Sequence, residues 1–317
     1  MENLRPLHSR MLAFSRSSLG LPSLHPATSG HIYRKPETGM LAAITPVILT
    51  YNEAPNIARM LRRLSWAKEI VVVDSGSSDE TLNLLKSDRR VRVFQRPFDS
   101  FSAQWRFAMN STAIATPWFL RLDADFHLPK NLIDEIAALD PDGPECAYQI
   151  RFDYAVFSKK LIATLYPGRM LLLRLGNCEV YDDGHKDVWT ISGPMGILAA
   201  PALHDDWKSM EGWVSTQARY MKRELEKLDD ERNSSPGIGK GHAIRSVVRD
   251  WLRRHPPLGP IAVCVYCLFG KGLIFNGRAG LFYTLQRTIA EAILSLLIIE
   301  EKLRSALPDG TARKDSK

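Results

Sequence analysis

Two aspartates at spacing i, i+2 close a run of bulky residues, Trp118-Phe119-Leu120-Arg121-Leu122-Asp123-Ala124-Asp125. The run reads as a mostly buried strand. In an extended chain, side chains two apart point the same way. Two carboxylates on one side of a strand end repel, so a cation is expected there. Oxygen donors at this density suit a hard divalent ion, Mg2+ or Mn2+, which keeps waters and bridges to phosphates. A nucleotide diphosphate is the natural third party. Asp-x-Asp also occurs in ordinary solvated turns, so the surrounding elements must decide.

Those elements alternate. Residues 44–49 form an apolar strand that stops at Thr50-Tyr51-Asn52-Glu53. Ile57, Met60, Leu61 and Leu64 follow at helical spacing. Residues 69–73 are a near-continuous apolar strand, as expected when helices cover both faces. It ends in Asp74-Ser75-Gly76-Ser77-Ser78-Asp79, where Ser77 and Glu80 have capping-box spacing for a helix through Leu85. A strand at 91–94, a helix at 102–114, the strand into Asp123 and a helix after Pro129 continue the pattern. The fold class expected is α/β, with a doubly wound, mostly parallel sheet. Ligands bind such sheets beyond the carboxyl ends of the strands. The polar clusters at 50–53, 74–79 and 123–125 all follow strand ends. No Gly-x-Gly-x-x-Gly follows the first strand, which argues against a dinucleotide.

Residues 147–156 and 170–175 read as further strands, and 177–203 as a polar loop containing Asp182, Asp183, His185 and Asp187. His204, Asp205 and Asp206 close that region. A helix over 213–228 has Val214, Ala218, Met221, Leu225 and Leu228 on one face. The glycine-rich stretch at 237–241 reads as a linker.

Hydrophobic residues make up 45% and charged residues 24%, an ordinary globular balance. Four cysteines form no disulfide framework at this length, which points to a reducing compartment. Residues 1–40 contain no apolar core of signal-peptide type and read as a flexible tail. The net charge of +7 is matched by residues 236–317 alone, with thirteen basic against six acidic residues. There Arg245, Arg249 and Arg253 run beside Ile244, Val248 and Trp251, the pattern of a helix lying on anionic membrane. The apolar runs 258–275 and 281–299 are interrupted by Lys271, Arg287 and Glu291, so association with a membrane surface is expected rather than crossing. The basic helix has an aliphatic face, not interleaved aromatics, which argues against a nucleic-acid partner.

Thr50-Tyr51-Asn52-Glu53, the stretch 71–81 with Asp74, Gly76, Asp79 and Thr81, and Leu122-Asp123-Ala124-Asp125 together resemble glycosyltransferase family 2, inverting enzymes of the GT-A fold. Trp66-Ala67-Lys68-Glu69-Ile70, Arg96-Pro97-Phe98 and Ser102-Ala103-Gln104 are similar to the branch acting on lipopolysaccharide core or exopolysaccharide. The resemblance implies a nucleotide-diphosphate sugar donor, with UDP as the guess, and a glycan or lipid-linked acceptor. Thr50, Tyr51 and Glu53 would line the nucleoside pocket and Asp74 would contact base or ribose. Asp123 would lie near the ribose and sugar, and Asp125 would bind the metal. The family's catalytic acid lies on a later loop. His185-Lys186-Asp187 is its nearest match here, making Asp187 the candidate base. His204, Gln217 and Arg219 would approach acceptor or diphosphate.

The expected organisation is a tail (1–40), a GT-A domain (41–206), a helix and linker (207–235) and a membrane-associating helical segment (236–317). The cytoplasmic face of the membrane is the expected location. Two alternatives stand beside this: a sugar nucleotidyltransferase, and a non-catalytic membrane-surface adaptor.

Overall fold

The computed structural model describes residues 39–183, 186–233 and 251–306. Most of the expected tail, His185, the 237–241 linker, Arg245 and Arg249 lie outside the described residues.

A helical turn, α1 (Gly39–Ala42), leads into β1 (Ile44–Thr50). Then follow α2 (Ala54–Arg63), β2 (Ile70–Asp74), α3 (Thr81–Lys86), β3 (Val91–Gln95), α4 (Phe101–Ser111) and β4 (Trp118–Asp123). β3, β2, β1 and β4 lie side by side, all parallel. The sheet has seven strands and extends beyond β4 through β9 (Arg169–Arg174), β6 (Ala147–Ile150) and β12 (Met195–Ile197). β9 runs antiparallel to both of its neighbours. The mixed, mostly parallel α/β architecture is the one the strand–helix alternation predicts.

Strand periodicity sorts the core into two layers. Ile44, Ile48, Ile70, Val72, Leu120 and Leu122 face α2 and α5 (Lys130–Ala137). Val47, Val71, Val73 and Phe119 face Trp105 and Met109 of α4. Both faces are covered, which is why β1 and β2 are buried at every position.

Three local expectations are corrected. Ser77 does not cap α3, which begins at Thr81 without a side-chain cap; the Ser77 hydroxyl is held by Asp74 instead. Residues 147–156 form two strands, β6 and β7 (Phe152–Val156), in different sheets. The polar loop at 177–203 is largely a hairpin of β10 (Cys178–Asp183) and β11 (Lys186–Ile191), paired antiparallel. Alternating Val180, Val188 and Trp189 among polar residues carry that strand signal.

A smaller sheet packs beside the first. Its order is β5 (Phe126–His127), β13 (Ala202–His204), β7 and β8 (Lys159–Lys160). α6 (Met210–Asn233) follows β13. α7 (Leu258–Val265), a wider turn at 266–270, a tight turn at 273–276 and the long α8 (Gly277–Ser305) complete the chain. They dock through Cys267, Leu273 and Tyr283 onto Tyr154, Val156 and Leu161. The Tyr283 hydroxyl accepts a hydrogen bond from the Leu165 amide at 2.9 Å. A Cβ at Gly280 would lie 1.9 Å from the Leu273 carbonyl oxygen, so only glycine admits this fold-back.

Candidate active site

β1 and β2 end in register, with Thr50 opposite Asp74. The buried Asp74 carboxylate accepts from the Thr50 hydroxyl at 2.8 Å, the Gly76 amide at 3.0 Å and the Ser77 amide at 2.8 Å, and from the Ser77 hydroxyl. Four donors fill its lone-pair sites. Asp74 therefore shapes the loop that follows it. Asn52, in the left-handed region at φ 53, donates its amide to Ser77 Oγ at 2.8 Å and accepts from the Ser78 amide at 2.9 Å. The Glu53 amide donates to Thr81 Oγ1 at 2.7 Å. The loops after β1 and β2 are thus one hydrogen-bonded unit, with Tyr51 exposed at its lip.

A cluster of carboxylates stands beside that unit. Asp123 ends β4, and Asp125 is buried just past it. Asp125 Oδ1 has no hydrogen-bond partner, and Oδ2 lies 3.6 Å from His204 Nε2. Burial, then the charge of Asp206, push the Asp125 carboxyl up to about 8; Lys208 opposes them and Asp123 adds to them. Glu53 is pushed up to about 7 by burial, against the pull of Lys208. The Lys208 ammonium lies 2.6 Å from Glu53 Oε1 and 3.8 Å from Asp206 Oδ2. Burial works against that ammonium, but Glu53, Asp125 and Asp206 outweigh it and hold it well above the ordinary lysine range. Asp206 Oδ1 accepts from Asn56 Nδ2 at 2.8 Å and from the Lys208 amide at 2.9 Å. Arg169 approaches Asp123 at 3.5 Å and lies over the Tyr166 ring at 4.9 Å.

One lysine among Glu53, Asp123, Asp125 and Asp206, with a buried carboxylate oxygen lacking any donor, is a cluster that a divalent cation fits. Among the described residues no three metal-ligating side chains converge on one point. The protein would supply only part of a coordination shell, leaving water and phosphate oxygens to complete it, as Mg2+ prefers.

The remaining sequence-derived candidates differ in how near they come to this cluster. His204 is buried, stacked on Tyr154 with ring centroids 4.6 Å apart, and pushed down to about 4 chiefly by burial. It stands behind Asp125 as a neutral ring. Gln217 is half-buried on α6 and Arg219 is exposed. It is Tyr220 that stands near the cluster, its hydroxyl pushed up to about 12 by burial and by Asp123.

Asp187 forms a buried ion pair with Arg121, Oδ2 to Nη1 2.7 Å, and accepts from the Trp189 indole. The guanidinium sits between Trp105 and Trp189, 5.3 and 4.9 Å from their centroids. Burial raises the Asp187 carboxyl, but Arg121 and Trp189 outweigh it and hold it below the usual range. This pair clamps the β10–β11 hairpin to β4.

Asn56, Arg169, Asp206, Lys208 and Tyr220 were not singled out by sequence reasoning as site residues. The density of functional groups in His204-Asp205-Asp206-Trp207-Lys208, immediately after a strand, is the signal that could have found two of them.

Parallel strands whose carboxyl-end loops gather this polar cluster define the class: an α/β domain with a charged edge on its sheet. Residues 45–173 match the model described as glycosyl transferase family 2. A protein called "Uncharacterized glycosyltransferase" from Rickettsia bellii is 36% identical over 112 residues, which are 34% of this chain and 37% of that protein. The "Lipopolysaccharide core biosynthesis glycosyltransferase LpsC" of Rhizobium meliloti is 31% identical over 93 residues, 28% of this chain and 34% of that one. The matches thus span only about a third of these relatives, 37% and 34%. Among solved structures, S. aureus TarS 1–349 aligns with a TM-score of 0.40 at 15% identity, over 84% of this chain and 92% of that one.

Proposed function

We propose that this chain is an inverting glycosyltransferase that moves a sugar from a nucleotide-diphosphate sugar to a hydroxyl of an envelope glycan or lipid-linked acceptor. The observation that carries the reading is the convergence of Glu53, Asp123, Asp125, Asp206 and Lys208 at the carboxyl edge of the family 2 domain. Thr50, Tyr51 and Glu53 line the nucleoside side, in a loop that Asp74 holds in shape. Asp125, with Asp123, would hold Mg2+ or Mn2+, which when bound neutralises charge developing on the leaving diphosphate. Lys208 and Arg169 add positive charge at the same edge.

Asp206 is the base in this proposal, in place of Asp187. Its Oδ1 is fixed by Asn56 and the Lys208 amide, which leaves Oδ2 to take a proton. It also borders a cleft lined by Tyr154, Phe157, Lys208 and Trp213. The acceptor oxygen bonds to the anomeric carbon from the opposite face, its proton passes to Asp206, and the diphosphate leaves with the electron pair. One in-line displacement inverts the anomeric centre.

The location proposed is the cytoplasmic membrane surface. Among the described residues one segment, Leu273–Ser305, is long and apolar enough to cross a membrane by length and composition. Leu281, Leu285, Ile289, Leu296 and Leu303 of α8 are exposed, as are Ile261, Val265 and Phe269, and Phe275 at the tip is 85% exposed. An apolar face with Lys271 and Arg278 beside its tip suits a helical pair lying in the interface.

A screen of nucleotide sugars against wild type, reading released nucleotide with and without Mn2+, tests the activity. Release from none of them in a folded, vesicle-bound protein would overturn it.

A further inference from the structure

α2 begins directly after Glu53 and carries Asn56 and Arg59 at i, i+3, on one face of the helix. That face meets Asp205-Asp206-Trp207, the segment that follows β13. Asn56 is fully buried. Its Nδ2 donates to Glu53 Oε2 at 2.9 Å and to Asp206 Oδ1 at 2.8 Å. Its Oδ1 accepts from the Trp207 amide at 2.9 Å and from Arg59 Nη2 at 2.9 Å. Two donors and two lone pairs are all that an asparagine amide has, so its capacity is filled. Its orientation is forced as well: ionised carboxylates only accept, while a peptide N–H and a guanidinium only donate. Asn56 therefore has no group left for a substrate.

Arg59 holds the same segment from the other side. Its Nη1 lies 2.8 Å from Asp205 Oδ2, and its Nη2 donates to the Asp205 carbonyl oxygen at 2.8 Å. The guanidinium lies over the Trp207 ring, 4.0 Å from the centroid. Asp205 takes two further hydrogen bonds, from the Ser158 amide at 3.1 Å and the Trp207 indole at 3.0 Å. The backbone on both sides of Asp206 and its own Oδ1 are thus tied to α2. At the start of that helix, the Glu53 amide is tied to Thr81 in the loop after β2. One helical element connects the donor-side loops to Asp206.

We propose that Asn56 and Arg59 are positioning residues for the base: they lock Asp206 to the helix that starts in the donor loop, so that base and donor site keep one geometry. The inference rests on the glycosyltransferase reading above, with Asp206 as base. Both residues act through Asp206. The loss on changing them should therefore fall on kcat. Donor binding should stay nearly unchanged, because Asn52, Ser77 and Thr81 hold the donor loop without Asn56.

The test is a set of double-mutant cycles in the full chain: wild type, N56A, R59K, D206N, N56A/D206N and R59K/D206N, with Mn2+ and a nucleotide sugar that wild type turns over. N56A should lower kcat roughly a hundredfold and R59K about tenfold, the scale of an ångström-sized misplacement. Donor KM, and UDP–Mn2+ Kd by calorimetry, should each change less than about threefold, since binding common to ground and transition states is untouched. In the D206N background either change should lower the residual turnover less than about threefold, because nothing is left to position. Rates are normalised to the folded fraction read by circular dichroism. R59K keeps the charge at a site whose side chain is 18% exposed, and it decides the question if N56A does not fold. A merely structural role would lower turnover by the same factor with and without Asp206. That result, wild-type turnover in the folded variants, or D206N as fast as wild type would overturn the proposal. A wild type that releases no nucleotide from any nucleotide sugar sinks the glycosyltransferase reading and this proposal with it. Wild-type turnover with additive losses sinks this proposal alone.

Discussion

The two sides of the carboxylate cluster are built on opposite terms. On the β1–β2 side the loop groups satisfy one another: Asp74 takes four hydrogen bonds, and Asn52, Ser77 and Thr81 lace two loops together. On the β4–β13 side, buried polar atoms are left without partners within the chain: Asp125 Oδ1 and His204 Nδ1. The first side is a finished scaffold that stays in place whatever binds. The second keeps buried polar atoms unpaired within the chain. Strain and unmet polarity gather where ligands are expected, and the scaffold carries their cost.

The largest effect expected to separate the two sides is on Asp206. D206N should lower turnover roughly a hundred- to ten-thousand-fold, the usual range for losing a general base, while UDP–Mn2+ affinity changes little. Single-turnover kinetics beside calorimetry checks this. Turnover within a few-fold of wild type would move the base elsewhere.

Asp187 tests whether the hairpin clamp belongs to the scaffold. D187N leaves Arg121 buried without its counterion, and breaking such a pair costs about 3–5 kcal/mol. Urea unfolding should show that loss. A variant of native stability with abolished turnover would instead return Asp187 to the role of base.

The same pair makes a pH prediction. The Asp187 carboxyl is held below the ordinary range in the folded chain, as is that of Asp205, which Ser158, Arg59 and Trp207 hold down against burial. As pH falls, the unfolded chain takes up those protons first, near pH 4. The stability from both groups is therefore complete at neutral pH and is lost as pH drops through about 4 and below. Melting temperatures at pH 7 and 3.5 should differ, and D187N should narrow the gap. An equal gap in the variant would show that the pair contributes nothing to acid sensitivity.

The smallest effect belongs to α6. Arg219 is exposed, so R219A should change stability by less than about 0.5 kcal/mol and acceptor KM less than twofold. Y220F, which alters the residue near Asp123, should have the larger effect of the two. The reverse order would mean that α6 presents a different face in the working enzyme.

The sequence by itself determined the first half of the domain. Apolar runs at 44–49 and 69–73, each ending in a polar cluster, dictate buried parallel strands with loops on one edge, because period-2 burial and strand–helix alternation are local signals. The Asp123-x-Asp125 pair was legible for the same reason: two residues on one strand share an edge whatever lies around them. Capping at Ser77 was misread because an equally local partner, Asp74, competed for the same hydroxyl. What only the tertiary structure decided is which distant groups meet that edge. Lys208 reaches Glu53 across 155 positions, Asn56 reaches Asp206 across 150, and Gln286 enters the cleft from the last helix. No spacing rule encodes those meetings. They follow from the smaller sheet packing beside β4 and from α8 closing over β7, and a buried group's charge and partners depend on that packing more than on its neighbours in sequence.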